Sequence, residues 1–209
     1  YNPASGKLLS YPQINFYEGQ GDKHPMLEDS KGNILFPGLG GLFYRMNTAT
    51  DMLDSFTINT NAAKPLPSKT ICTALFQDEQ DVFWMGTAEG FAKLAFSDAG
   101  KRQPQVTWYY NNNNSRNSLN YNHVSCFLPD PAAPEKYLWT ATKGGGLNRL
   151  DKKTGDFFHL TTKDGLPDDV VYGILTDKAG NIWGSTNKGI FCMTATANTH
   201  DTIFNFRNF

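Results

Sequence analysis

The chain has no excess of either charge: 19 Lys and Arg stand against 20 Asp and Glu, a formal net of -1. That balance speaks against a general nucleic-acid binder and against a polybasic membrane surface. Cysteine is scarce. Cys72, Cys126 and Cys192 are widely spaced, odd in number and without a Cys-x-x-Cys pair, which argues against a disulfide framework or structural zinc. Three small buried hydrophobes are expected instead. No run approaches the roughly 18 apolar residues of a membrane span, and the N-terminal residues lack the charged-then-apolar pattern of a secretory signal. No segment keeps apolar residues at i, i+3, i+4 and i+7 for three turns, so helix bundles and helical solenoids drop out. What is plentiful is turn formers and rings: 19 Gly, 11 Pro, 15 Phe, 9 Tyr and 4 Trp in 209 residues. A chain only 19% charged and 13% aromatic folds, and this composition suits many short strands joined by tight turns.

The strands are organised by an internal repeat. Asp29-Ser-Lys-Gly-Asn-Ile-Leu35, Asp78-Glu-Gln-Asp-Val-Phe-Trp84, Asp130 to Trp139, and Asp177-Lys-Ala-Gly-Asn-Ile-Trp183 align. The third carries an insertion at Pro131–Lys136. Each then reaches a glycine and an apolar residue: Gly41-Leu42, Gly90-Phe91, Gly146-Leu147 and Gly189-Ile190. Within a unit, an apolar run such as Thr70–Phe76 or Val170–Leu175 precedes an Asp/Gly/Asn turn of hairpin composition. A short strand ending in Trp or Leu follows, then a glycine loop, a third strand such as Gly146–Leu150, a second turn at Asp151–Gly155, and an aromatic strand at Asp156–Leu160. Four antiparallel strands and one Trp per ~45–50 residues describe the blade of a β-propeller. The fold expected is therefore all-β: a propeller fragment of about four four-stranded antiparallel blades, with the outer strands of a preceding blade at residues 1–17. Blades are expected over 18–60, 61–111, 112–162 and 163–209, with inner strands near 24–28, 71–77, 123–128 and 170–176.

Several motifs resemble the two-component regulator propeller repeat. They are Asp-x-x-Gly-Asn-Ile-Trp, Gly-Gly-Leu-Asn-Arg-Leu-Asp, Lys-Thr-Gly-Asp-Phe, Asp-Gly-Leu-Pro before a valine run, and Asn-Ser-Leu119 ahead of His123-Val124. The resemblance is strongest over residues 117–191 and weakens in the first unit, where Leu35 replaces Trp. It implies the periplasmic sensor of a hybrid two-component system, of the kind with which gut Bacteroidetes control polysaccharide use. Rings of seven blades are usual there, so this chain resembles part of a larger sensor, with a histidine kinase in the parent protein.

The recurring residues suit structure better than chemistry. A Trp present in every unit and replaceable by Leu fills the wedge between sheets, so Trp139 and Trp183 are expected to be buried. Asp29, Asp78, Asp130 and Asp177 each open a hairpin turn, where a carboxylate bonds its own backbone two residues on. No helix pattern follows the glycines, so they are no phosphate cradle. His24, His123, His159 and His200 are scattered, and only His123, heading an inner strand, is placed to reach the channel. No nucleophile, metal or calcium motif occurs. Neither catalysis, metal nor cofactor is expected.

Propeller topology sends the short turns (30–33, 178–181, 152–155) to one face. The links between blades (59–69, 111–122, 162–169) and the loops 86–89, 141–145 and 185–188 go to the other, the link face. Varied loops on a rigid scaffold carry specificity. A ligand site is therefore expected from Tyr109, Tyr110, Asn112 and Arg116, joined by Lys143 and, one blade on, Asn187 and Lys188. Asparagine amides and planar or point cations bond hydroxyls and carboxylates, and the tyrosines offer stacking. Three functions remain open: a sensor of an oligosaccharide or related periplasmic ligand, a scaffold for receptor dimerisation, and a propeller lyase. Uncovered sheet faces at both ends of an open arc would favour self-association.

Overall fold

The computed structural model describes residues 25–58, 70–96, 103–197 and 202–209. The strands expected at 1–17, the link 59–69, His24 and His200 lie outside those residues. Among the described residues sixteen strands form four separate sheets, each an antiparallel meander whose strands follow chain order. Blade 1 contains β1 (Leu27–Glu28), β2 (Asn33–Pro37), β3 (Leu42–Asn47) and β4 (Met52–Thr57). Blade 2 contains β5 (Cys72–Gln77), β6 (Phe83–Thr87), β7 (Gly90–Ala95) and β8 (Gln105–Tyr109). Blade 3 contains β9 (Val124–Pro129), β10 (Tyr137–Thr142), β11 (Leu147–Asp151) and β12 (Phe157–Leu160). Blade 4 contains β13 (Val171–Thr176), β14 (Ile182–Thr186), β15 (Gly189–Ala197) and β16 (Thr202–Asn208). The fold is that of four propeller blades. The first inner strand is shorter than the sequence reading gave it: Pro25 has no N–H to donate, and the Asp29 turn begins directly after Glu28.

Each first turn is built by its aspartate. Asp78 Oδ1 accepts the backbone N–H groups of Gln80 and Val82 at 3.0 and 3.1 Å, and Asp177 Oδ1 those of Ala179 and Asn181 at 2.8 and 3.0 Å. The fourth turn residue takes a left-handed backbone: Gly32 at φ 76 and Gly180 at φ 82. In blade 2 the same position holds Asp81 at φ 58, a residue type that tolerates this region better than most.

The core lies between blades and is filled forward along the chain. Leu35 packs with Cys72, Phe83, Met85 and Leu94 of blade 2. Trp84 packs with Phe127, Leu138 and Leu150 of blade 3. Trp139 packs with Ile182, Phe191 and Met193 of blade 4. Trp84 and Trp139 are 0% exposed. Trp183 departs from expectation: it is only half-buried, because among the described residues no following blade covers it, and its ring partner is Phe209 at 5.6 Å. The other end differs from expectation too, since Phe36 and Tyr44 of blade 1 are buried and stack on each other at 5.5 Å. The three cysteines form no disulfide; Cys72 and Cys192 are buried and Cys126 half-buried.

A bulge recurs at the start of the inner strands, between Cys72 and Ala74, between Val124 and Cys126, and between Val171 and Gly173. The extra residues are Thr73, Ser125 and Tyr172. Bulges re-aim side chains, and here two of them reach the next blade. Thr73 Oγ1 donates to the Val124 carbonyl at 2.6 Å, and Ser125 Oγ donates to the Val171 carbonyl at 2.5 Å.

Candidate functional site

The aspartates of the repeat do more than the sequence reading assigned them. In three blades the second carboxylate oxygen accepts the indole N–H of the slot tryptophan: Trp84 to Asp78 at 3.0 Å, Trp139 to Asp130 at 2.9 Å, Trp183 to Asp177 at 2.8 Å. Leu35 has no such donor, and in blade 1 the Asn33 amide bonds Asp29 Oδ2 instead, at 2.9 Å. A buried indole needs a partner for its N–H, and the fixed six-residue spacing in two units was the signal for it. Asp78 also receives the Lys152 ammonium from blade 3 at 3.0 Å, with both side chains almost fully buried. Burial pushes the Asp78 carboxyl up, but the Trp84 indole, Lys152 and the Val82 N–H together hold it below the usual carboxylate range. The bonds from Trp183 and Asn181 bring Asp177 down to about 2. Asp78 and Asp177 are therefore ionised hydrogen-bond acceptors near neutrality, unsuited to proton transfer there.

On the link face, the residues expected to form one site fall into two places. Asn112 and Arg116 lie in a turn tied to the outer edge of blade 3. Asn112 Oδ1 accepts the Asn114 N–H at 3.0 Å. Asn117 Oδ1 accepts the Phe157 N–H of β12 at 2.7 Å, and the Asn117 amide donates to Asp156. His159 of the same strand bonds the Ser118 carbonyl at 2.8 Å. Tyr109 and Tyr110 are not free stacking surfaces beside that turn. Tyr109 stacks on the buried Phe91 at 4.7 Å and meets Phe157 edge-on, inside the core between blades 2 and 3. Tyr110 stacks on Trp108 at 5.7 Å, and its hydroxyl is buried without a partner. Strand alternation turned these rings into packing, which their position beside four asparagines concealed.

Lys143, Asn187 and Lys188 instead gather at the inner end of blades 3 and 4. The Lys143 N–H donates to the His123 carbonyl at 2.9 Å, and Lys143 bridges to Val170 at the head of the next blade. Its ammonium lies 6.0 Å from the centre of the Tyr172 ring. The Tyr172 hydroxyl donates to Asn187 Oδ1 at 2.6 Å. Lys188 is paired with Asp168 at 3.7 Å. Burial and the Lys143 charge both lower the His123 pKa, so its imidazole is neutral at pH 7, and its Nε2 is buried without a partner. Tyr121, which the sequence reading passed over, lies across the glycine loop: a Cβ at Gly144 would sit 2.9 Å from its ring. That contact, with φ +140 at Gly144, gives a physical reason for glycine there.

A groove of about 550 Å³ opens on the outer side of blade 4, lined by Ile174, Leu175, Trp183 and Ile190. Its position matches the faces of blades 1 to 3 that the following blade fills, which makes it an unfilled interblade surface. Among the described residues no three His, Cys, Asp or Glu side chains could hold a metal ion, and no helix is long and apolar enough to cross a membrane.

Four successive four-stranded sheets with forward-packed Trp slots define a β-propeller segment. The two-component regulator propeller family matches residues 165–188, which include β13 and β14 of blade 4. Among solved structures, the extracellular domain of the putative hybrid two-component system BT4673 from B. thetaiotaomicron aligns at TM-score 0.60 and 17% identity. That alignment covers 88% of this chain and 24% of the other, so the chain spans about a quarter of that domain's length. A catalytically inactive virginiamycin B lyase from Staphylococcus aureus, solved with quinupristin, aligns at TM-score 0.60 and 13% identity, covering 92% and 58%. At such identities the likeness shows the fold. No curated protein matches the chain in sequence.

Proposed function

We propose that this chain is a non-catalytic, extracytoplasmic sensor segment of a hybrid two-component system protein, exposed to the periplasm and binding a glycan or related ligand on its link face. The observation that carries the reading is the match to the two-component regulator propeller family over residues 165–188. The shared fold with an extracellular domain of a hybrid two-component system supports it. A fold does not fix a function, and the lyase likeness is weighed on chemistry. Asp78 and Asp177, depressed and indole-bonded, and two described histidines, His123 and His159, on different edges of blade 3 offer no acid–base pair. The parent protein would carry the kinase, and binding would act by favouring one receptor arrangement over another.

Scaffolding of receptor dimers is a second reading, favoured by the exposed apolar face of blade 4. Calorimetric titration of the chain with a panel of neutral and acidic oligosaccharides tests the first. Saturable binding sustains it. Absence of any binding, alongside reversible dimer formation through blade 4, would transfer the function to scaffolding.

A further inference from the structure

Two of the three bulged residues have a following blade to reach, and the third, Tyr172, belongs to the last described blade. The Thr73 and Ser125 hydroxyls tie their blades to the next. Tyr172 occupies the same register position; its hydroxyl goes to Asn187, and its ring stands under the Lys143 ammonium of the preceding blade. Tyr172 remains 48% exposed and Tyr121 45%, two rings on either side of the Lys143–Gly144 loop. Lys143 makes no ion pair among the described residues, whereas neighbouring Lys188 is held by Asp168.

We infer that Tyr121, Lys143, Tyr172 and Asn187 form a binding site on the link face, at the junction of blades 3 and 4, for a carboxylate carried on a ring. The inference rests on the sensor reading and gives it a location and a ligand class. The ammonium is the carboxylate partner, and charge-assisted bonds are the stronger kind. The exposed tyrosine faces offer the flat apolar surface on which a pyranose or an aromatic ring lies. The Asn187 amide nitrogen, left free by the bond to its oxygen, donates to a ring hydroxyl or to the second carboxylate oxygen. The neutral His123 leaves Lys143 as the charge of this loop.

The test is titration of the isotope-labelled chain by two-dimensional NMR with three probes: methyl glucuronoside, its neutral counterpart methyl glucoside, and benzoate. Shifts at the Lys143, Gly144, Tyr172 and Asn187 amides with glucuronoside, benzoate or both, and none with glucoside, are expected. Glucuronoside alone identifies a sugar acid, benzoate alone an aromatic acid. The K143Q variant should bind about tenfold more weakly, the size of one charged hydrogen bond. The Y172T variant restores the residue type of position 73 and should fold but lose the ring contact. Equal response to the neutral probe, no response to either acid, or unchanged affinity in K143Q at retained melting temperature would overturn the site. A ligand from the oligosaccharide panel whose shifts fall on residues 111–118 would leave the sensor reading standing while removing this one.

Discussion

Blades 3 and 4 carry the same motif and end differently. In both, an aspartate opens the first turn and accepts the indole N–H of its tryptophan, at 2.9 Å for Trp139 and 2.8 Å for Trp183. Trp139 is nevertheless fully buried, while Trp183 stands half-exposed beside Leu175, itself 60% exposed. The difference is the neighbour: Trp139 is covered by Ile182, Phe191 and Met193 of the blade after it. A repeat therefore sets the local geometry of each slot, and the following unit supplies most of its stabilisation. This nearest-neighbour arrangement is what stacked repeats lead one to expect.

The largest differences are expected at the tryptophans themselves. Trp139→Ala should cost about 3–5 kcal/mol, the range for a core aromatic, and Trp183→Ala about 1–2 kcal/mol, in keeping with roughly half the area removed from water. Denaturant unfolding of the two variants measures both; equal losses would show that the slot is stabilised within its own blade. The buried Lys152–Asp78 pair joins blade 3 to blade 2, and no such cation reaches Asp177 among the described residues. Lys152→Met leaves Asp78 buried without its counter-charge and should cost about 3 kcal/mol. A neutral result by the same unfolding method would mean that the Trp84 indole alone suffices.

Acid sharpens the same contrast. Asp78 and Asp177 are both held below their unfolded values, so each contributes stability that is full above pH ~4 and is lost as pH falls through the folded pKa. For Asp177 the loss should run from pH ~4 down to about 2. Asp177→Asn should flatten the melting temperature over that window, and an unchanged pH profile would contradict the assignment. The smallest effect concerns association. An exposed apolar face favours a partner, so the chain should self-associate through blade 4. Leu175→Lys with Ile190→Lys should shift sedimentation toward monomer with little change in stability; a wild-type chain that stays monomeric on concentration would argue against this.

Much of this was legible beforehand. The four inner strands, the aspartate turns and the tryptophan slots follow from spacing and composition, because hairpin chemistry is local. The indole–carboxylate bond was also written in the sequence, in the interval between Asp78 and Trp84 and between Asp177 and Trp183. What could not be read were relations across blades. Lys152 lies 74 residues from Asp78. The burial of Trp183 depends on what stands beyond it. Tyr109 was placed in the core by the alternation of β8 against Phe91, which its asparagine-rich neighbours disguised. The candidate ligand residues were half legible: Lys143 and Asn187 come together, but through Tyr172, a bulge residue that no periodicity marks.

Under the proposed function, ligand recognition belongs to the link face while the turn face serves folding. The most direct test compares K143Q with K153Q, an exposed lysine in the opposite turn between β11 and β12, by calorimetry of the bound ligand at matched stability. Affinity should be about tenfold weaker in K143Q and unchanged in K153Q. Equal affinities in the two variants, or a loss confined to K153Q, would contradict it.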